Sequence, residues 1–273
     1  MENLIEKIEE TVRFLKEKNG KIDVAIILGT GLGNDFIKNI DVDVEIMYSD
    51  IPHFPLATVE FHKGSLIIGT LKGKRVLVFH GRFHFYEGYS MQEITYPVRI
   101  AKGMGVQHLL ISNAAGAINL AWKKGELMLI NDHINLLPDN PLRGRNNEAL
   151  GPRFTDMSCP YNNHLNTLLK DIATQLDIPL REGVYASVMG PNLETRAEYR
   201  YLKIIGADAV GMSTVPEVIV ANHAELPCCA ISVLTDECDP DNLEPIDVPE
   251  IIAVAGRAEK KLTALYLALI EKL

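Results

Sequence analysis

Three stretches of this chain gather side chains that could act on a small anionic ligand. One is His80-Gly81-Arg82-Phe83-His84-Phe85-Tyr86-Glu87-Gly88-Tyr89. The guanidinium of Arg82 has the planar fork that grips an oxyanion through two hydrogen bonds. His84 lies two residues on and, in an extended segment, points to the same side. The interleaved aromatic rings supply the partly apolar wall that a small-molecule pocket requires. His80 and His84 would pair on a metal only from a helix, and Gly81 argues against one, so the spacing favours anion binding. Another stretch is Met189-Gly190-Pro191-Asn192-Leu193-Glu194-Thr195-Arg196. Glu194 can accept two hydrogen bonds from the edge of a planar heterocycle, while Asn192 or Thr195 could simply cap a helix. In Thr235-Asp236-Glu237-Cys238-Asp239, Asp236 follows an apolar run and stands where a strand-end catalytic acid belongs. A solvated acidic loop is the competing reading.

Shorter segments add donors. Gly29-Thr30-Gly31-Leu32-Gly33 follows an apolar run. A dinucleotide fingerprint would need glycine at Asn34, and no Gly-Lys-Ser/Thr follows for a nucleotide phosphate loop. What remains is a tight turn whose N–H groups and Thr30 hydroxyl suit a phosphate and equally suit a plain structural turn. Ser112-Asn113-Ala114-Ala115-Gly116-Ala117 is small enough in its side chains to let a ligand approach the backbone. Ser213 and Thr214 precede a helix and could cap it or hold an anion.

These segments need a scaffold that presents them together. Short apolar runs at residues 24–28, 65–70, 75–80, 108–112, 127–130, 184–188 and 228–234 read as strands, buried as when helices cover both faces of a sheet. Lys72-Gly73 makes a hairpin turn between the second and third. An amphipathic helix opens the chain, with Leu4, Ile5, Ile8, Val12 and Leu15 at helical spacing. Further helices are expected over residues 91–104, 162–175, 194–205, 216–225 and 249–273. The first of these has a capping box at Ser90 and Glu93 and a kink or late start at Pro97. Residues 137–158 read as a long ordered loop, punctuated by Leu142, Leu150 and Phe154. Strands alternating with helices, without repeats, give one α/β domain over residues 1–273, built on a mixed central sheet flanked by helices.

Composition narrows the partners. Of 273 residues, 47% are apolar, so a sizeable core can form. The 36 acidic and 27 basic residues leave a net charge of −9, a poor basis for binding nucleic acid or an anionic membrane. The four cysteines, Cys159, Cys228, Cys229 and Cys238, form no Cys-x-x-Cys pair and read as small core residues, with no metal site. No apolar signal core opens the chain, and a reducing cytoplasm is the expected setting.

Taken together, GRFHFYEGY, NAAGA, GPNLETRAEYR and GADAVGMSTVPEV resemble the trimeric type of purine nucleoside phosphorylase, in the nucleoside phosphorylase superfamily. The resemblance runs from Gly29 to the C-terminal helix. It implies a nucleoside phosphorylase-like fold with a partly barrel-like sheet. It also implies a phosphate site from Thr30, His62, Arg82, His84, the Ala114 backbone and Ser213. Tyr86 and Met212 would contact the ribose. Tyr185, Leu193, Glu194, Val210 and Asp236 would form the purine pocket, and Phe154 would close the sugar site of a neighbouring subunit in a homotrimer. The implied ligands are a purine nucleoside and inorganic phosphate as co-substrate, with no cofactor.

The implied reaction is reversible phosphorolysis of purine ribo- or deoxyribonucleosides to the free base and (deoxy)ribose 1-phosphate. Asp236, Glu194 and His84 would be its catalytic residues. Asp236 stands where that family usually has an asparagine that recognises a 6-oxopurine, and relatives that cleave methylthioadenosine have aspartate there. A carboxyl donating a proton to purine N7 at neutral pH must be raised far above its ordinary range. An ionised Asp236 would instead accept from a 6-amino group. Leu193 replaces an aromatic residue, and no histidine for the ribose 5′-hydroxyl stands near Val248-Pro249. Rival readings are a 5′-methylthioadenosine or 5′-methylthioinosine phosphorylase, a nicotinamide-dependent oxidoreductase, which the glycine spacing disfavours, and a nucleoside-binding protein without catalysis.

Overall fold

The computed structural model describes every residue except 1, 18, 19, 30, 57–63, 244 and 246. The N-terminal helix α1 (Glu2–Lys16) leads to β1 (Val24–Leu28), the short helix α2 (Asn34–Ile37) and β2 (Asp41–Met47). The hairpin β3 (Ser65–Leu71) and β4 (Lys74–His80) follows, then α3 (Met91–Ile94) and α4 (Tyr96–Gly103). The rest alternates β5 (His108–Ala117), β6 (Leu127–Asn135), α5 (Asn163–Gln175), β7 (Leu180–Ser187), α6 (Arg196–Ile204), β8 (Ala209–Gly211), α7 (Val215–His223), β9 (Cys228–Glu237) and α8 (Val248–Lys272).

The strands form one mixed sheet in the order β2-β3-β4-β1-β5-β8-β7-β6-β9, and β9 pairs back onto β5. That last pairing closes β5, β8, β7, β6 and β9 into a ring, the expected partly barrel-like sheet. β1 is parallel to both neighbours, β4 and β5, and all five of its residues are buried. Its side chains alternate between two cores, with Ala25 and Ile27 in one and Val24, Ile26 and Leu28 in the other. The first core takes apolar residues of α1, α4 and α7; the second takes those of α2, α5 and α8. Two covered faces explain why the inner strands lack polar alternation. No helix among the described residues is long and apolar enough to cross a membrane.

Local expectations hold where chemistry is local. Lys72 and Gly73 have φ of 51° and 77°, the doubly positive pattern of a tight hairpin turn. Ser90 accepts from the Glu93 backbone while Glu93 accepts from the Ser90 backbone. The helix expected over residues 91–104 is instead two, broken at Thr95, with Pro97 in the first turn of the second. Proline is well placed there because its missing N–H has no partner to lose. The edge strand β2 carries acids at Asp41, Asp43 and Glu45, a charged edge that discourages further pairing and hides the strand from a search for apolar runs. The loop between β6 and α5 anchors itself through Leu137, Leu142, Leu150 and Met157. Phe154 does not join them and is 88% exposed. Cys228, Cys229 and Cys238 are buried and Cys159 is exposed, all with free thiols.

Candidate active site

A cleft opens at the carboxyl ends of β4, β5, β8 and β9, where open α/β sheets bind ligands. Arg82, His84, Tyr86, Ala114, Leu193, Glu194, Val210, Met212, Ser213 and Asp236 all reach it. The structure thus brings together ten of the residues expected to bind phosphate or nucleoside, from segments spread across the chain. Thr30 and His62 lie outside the described residues. A larger cavity of about 730 Å³ lies elsewhere, beside Arg99, Lys102, Arg153 and His223. None of the expected site residues lines it.

The segment after β4 alternates as its sequence suggests. Arg82 and His84 line the cleft, while Phe83 turns into an aromatic cluster with Tyr48, Phe54 and Tyr89. Three of the N–H donors of Arg82 are engaged within the chain. Its Nε and Nη2 donate to Glu217 at 3.3 and 3.0 Å, and its Nη1 donates to the Ser112 carbonyl at 2.5 Å. Both charges are almost fully buried, and a buried guanidinium needs such a partner. Glu217, in the first turn of α7, is a partner of Arg82 that sequence reading missed. Its only signal is a buried acid within the apolar run of that helix.

His84 is held from behind. Its Nδ1 and its backbone nitrogen lie 2.7 and 2.8 Å from Glu87 Oε1, and its ring stacks on Tyr86 with centroids 4.7 Å apart. Burial keeps the imidazole below its ordinary range, opposed by its hydrogen bond to Glu87. Burial also pushes the Tyr86 phenol up to about 12.

Ser213 sits before α7 on a strained support. Thr214, at the helix N-cap position, has φ of 67°, a conformation that costs a residue with a Cβ energy. Two hydrogen bonds hold it there: Asn113 Nδ2 donates to Thr214 Oγ1 at 2.8 Å, and the Ser213 and Thr214 hydroxyls lie 3.2 Å apart. Tyr185 departs from expectation. It is completely buried and outside the cleft, and its hydroxyl accepts from the Ser213 backbone at 3.3 Å. A Cβ on Gly211 would lie 2.2 Å from that hydroxyl. Tyr185 therefore supports the floor under Ser213 rather than walling the cleft.

The glycine turn also differs from an open phosphate nest. Glu259 of α8, itself buried, accepts from the backbone nitrogens of Gly33, Asp35 and Phe36 at 2.7, 2.8 and 3.2 Å. A carboxylate of the chain itself fills the positive end of that turn, and the Gly29 nitrogen donates to Ser112 Oγ.

Segment NAAGA and the first three residues of TDECD are strand rather than loop, because β5 and β9 pair with each other through Gly116–Asp236 and Ala117–Glu237. Along β9, Thr235 is an extra residue between the Ala115–Leu234 and Gly116–Asp236 pairs. Such a bulge turns neighbouring side chains out of the regular alternation. Asp236 emerges half-buried in the cleft, with Thr235 Oγ1 donating to its Oδ1 at 2.8 Å. Glu194 stands one residue before the N-cap of α6, where Thr195 rather than Asn192 caps. Burial pushes the Glu194 carboxyl up, opposed by a hydrogen bond from Tyr199 and reinforced by the charge of Asp236. Met212 is admitted by Gly190, where a Cβ would lie 2.3 Å from the Met212 sulfur. Phe154 is absent from the cleft of its own chain, with Arg153 above its ring.

A family model described as the phosphorylase superfamily matches residues 23–271. The chain belongs to the phosphorylase superfamily. Purine nucleoside phosphorylase 1 of Bacillus subtilis is 44% identical over 266 residues, covering 97% of this chain and 98% of that protein. Purine nucleoside phosphorylase of Mus musculus is 41% identical, over 98% of this chain and 95% of that protein. Among solved structures, isoform 2 of purine nucleoside phosphorylase from Schistosoma mansoni, in complex with cytosine and ribose-1-phosphate, superposes with a TM-score of 0.93. It is 39% identical, covering 98% of this chain and 96% of that one. A Schistosoma mansoni purine nucleoside phosphorylase in complex with adenosine gives a TM-score of 0.92 at 35% identity, over 98% of each chain.

In this phosphorylase superfamily chain, the polar groups of the cleft divide by position. Glu194, Asp236, Thr235 and Tyr199 also line an adjoining cavity of about 550 Å³, which Arg82, His84 and Ser213 do not reach. The two carboxylates therefore stand on one side of the cleft, and the candidate phosphate ligands on the other.

Proposed function

We propose that this protein catalyses the reversible phosphorolysis of purine nucleosides, giving the free base and a pentose 1-phosphate. The observation that carries the reading is the division of the cleft. Two carboxylates suited to the edge of a purine lie on one side. His84, Ser213 and the Ala114 backbone lie on the other, beside the buried Arg82–Glu217 pair. A sugar would lie between those groups, with Tyr86 and Met212 lining the same cleft.

The glycosidic bond stretches first and the sugar gains oxocarbenium character, as in glycoside cleavage. Phosphate on the far face stabilises that cation and captures C1′. His84 and Ser213 orient it, and the strained, hydrogen-bonded Thr214 keeps Ser213 in place, so that little orientation is left to be found in the transition state. Electrons move into the purine, and groups preorganised at its edge stabilise the developing charge. Glu194 fixes the base at N1, Asp236 meets the 6-substituent, and the departing purine takes its proton from solvent. Because Asp236 already accepts from Thr235, it serves best as an acceptor, which suits a 6-amino group. Phosphate-dependent release of base from inosine and adenosine tests the reading. No release from either would refute it, and release from inosine alone would refute the 6-amino assignment.

Two finer assignments belong to the same reading. Phe154, exposed and remote from its own cleft, reaches the sugar site of a neighbouring copy in a homotrimer. Sedimentation at working concentration tests this, and a monomer would refute it. Ile251 brings an apolar side chain to the cleft, which favours a 5′-methylthio substituent as a second substrate class. Comparing 5′-methylthioadenosine with adenosine separates that reading from the first.

A further inference from the structure

Cys238 follows Asp236 by two residues and stands one residue past the end of β9. The thiol lies 3.4 Å from Asp236 Oδ2 and donates to it. Thr235 donates to the other oxygen, Oδ1, at 2.8 Å. The Cα of Gly116 closes the third side: a Cβ there would lie 2.4 Å from the Cys238 sulfur and 3.0 Å from Asp236 Oδ2. The carboxylate is thus fixed at both oxygens and along one flank, with the cleft as its open side.

The sulfur is a donor and not a nucleophile. Cys238 is buried, and burial together with the charge of Asp236 pushes its thiol far above the ordinary range. A reactive cysteine sits in the opposite surroundings, exposed and electropositive. Tyr199 and Glu194 line the same cleft as Cys238. Thr235, Asp236 and Cys238 form one connected series at the end of β9. Thr235 anchors its end to the Ala115 carbonyl at 3.3 Å.

A carboxylate that accepts one hydrogen bond at each oxygen turns its remaining lone pairs to the ligand. It can accept from an exocyclic amine. It offers nothing to an exocyclic carbonyl. We propose that Cys238 is a positioning residue for Asp236 and, through it, a determinant of the purine 6-substituent that the cleft prefers. The inference rests on the phosphorolysis reading above.

The test compares kcat/KM for adenosine and inosine in the full-length enzyme and in Cys238→Val and Cys238→Ser. Valine keeps the bulk and removes the donor; serine keeps a donor. Cys238→Val is expected to lower the adenosine-to-inosine ratio roughly tenfold, the scale of one hydrogen bond to a charged group. Cys238→Ser should hold the ratio within about twofold of the parent. If valine does not fold, Cys238→Ala removes the same donor and carries the same expectation. A ratio unmoved by loss of the donor, or moved as far by serine as by valine, overturns the proposal. So does a parent enzyme that uses inosine but not adenosine. Absence of phosphate-dependent release from both nucleosides would instead refute the phosphorolysis reading itself.

Discussion

Glu259 and Gly33 are 226 residues apart in sequence, and the carboxylate of the first accepts the backbone N–H of the second at 2.7 Å. The same oxygen also accepts from Asp35 and Phe36. A turn whose N–H groups would suit a bound anion is thereby tied to the C-terminal helix, which packs against it through Ile252 and Ala255 beside Gly31. Glu259→Ala leaves those donors without their acceptor. Buried unsatisfied groups cost about 1–3 kcal/mol each, so a loss of roughly 3 kcal/mol is expected in urea unfolding. Loosening the turn should also raise KM for phosphate more than KM for the nucleoside. A variant as stable as the parent, with the same phosphate KM, would contradict the assignment.

The Arg82–Glu217 pair gives a second expectation. Breaking a buried ion pair by removing one charge costs about 3–5 kcal/mol, because the other charge stays behind. Glu217→Gln should therefore be markedly destabilised. Phosphate binding near Arg82 would return negative charge to the site, and a ligand that binds the folded state raises its stability. Added phosphate should then raise the melting temperature of Glu217→Gln more than that of the parent. Equal shifts in the two proteins would argue that phosphate does not approach this arginine.

Much of the cleft was legible because its chemistry is local. Arg82, Phe83 and His84 alternate in sequence, and they alternate in space between cleft and aromatic core. Glu194 and Asp236 follow recognisable breaks in apolar runs. What escaped detection depends on distant partners. Glu217 meets Arg82 across 135 residues, and its place within an apolar run is the only hint of it in the sequence. Glu259 reads as one more charge beside Lys260 and Lys261. Tyr199 and Cys238 come from a helix and a strand end whose approach only the closed ring of strands sets. The extension of β5 through Asn113-Ala114-Ala115-Gly116 was also hidden, since small residues carry little strand preference of their own and pairing with β9 decides it. Tyr185 erred the other way: an aromatic residue expected to face the ligand is spent on holding Ser213 from below.

That role of Tyr185 can be checked without touching the cleft wall. Tyr185→Phe keeps the packing and removes the acceptor of the Ser213 N–H. Loss of one buried partner is worth about 1–3 kcal/mol. The expected outcome is a higher KM for phosphate, with an unchanged adenosine-to-inosine preference. A changed base preference with unaltered phosphate KM would return Tyr185 to the purine pocket.

Glu194 should give the two purine classes opposite responses to pH. Burial pushes its carboxyl above the usual range, and the charge of Asp236 adds to this, while Tyr199 opposes it and Glu198 contributes a further repulsion. An ionised Glu194 accepts from the N1–H of a 6-oxopurine, so kcat/KM for inosine should fall as pH drops through the raised value. Adenine carries a lone pair at N1 and needs a donor, which only protonated Glu194 supplies. Its kcat/KM should rise over the same interval, before general acid unfolding intervenes. The adenosine-to-inosine ratio should therefore climb as pH is lowered through that raised value. Glu194→Gln has no proton to exchange there and should flatten the ratio. Parallel profiles for the two nucleosides in the parent enzyme would show that Glu194 does not face N1.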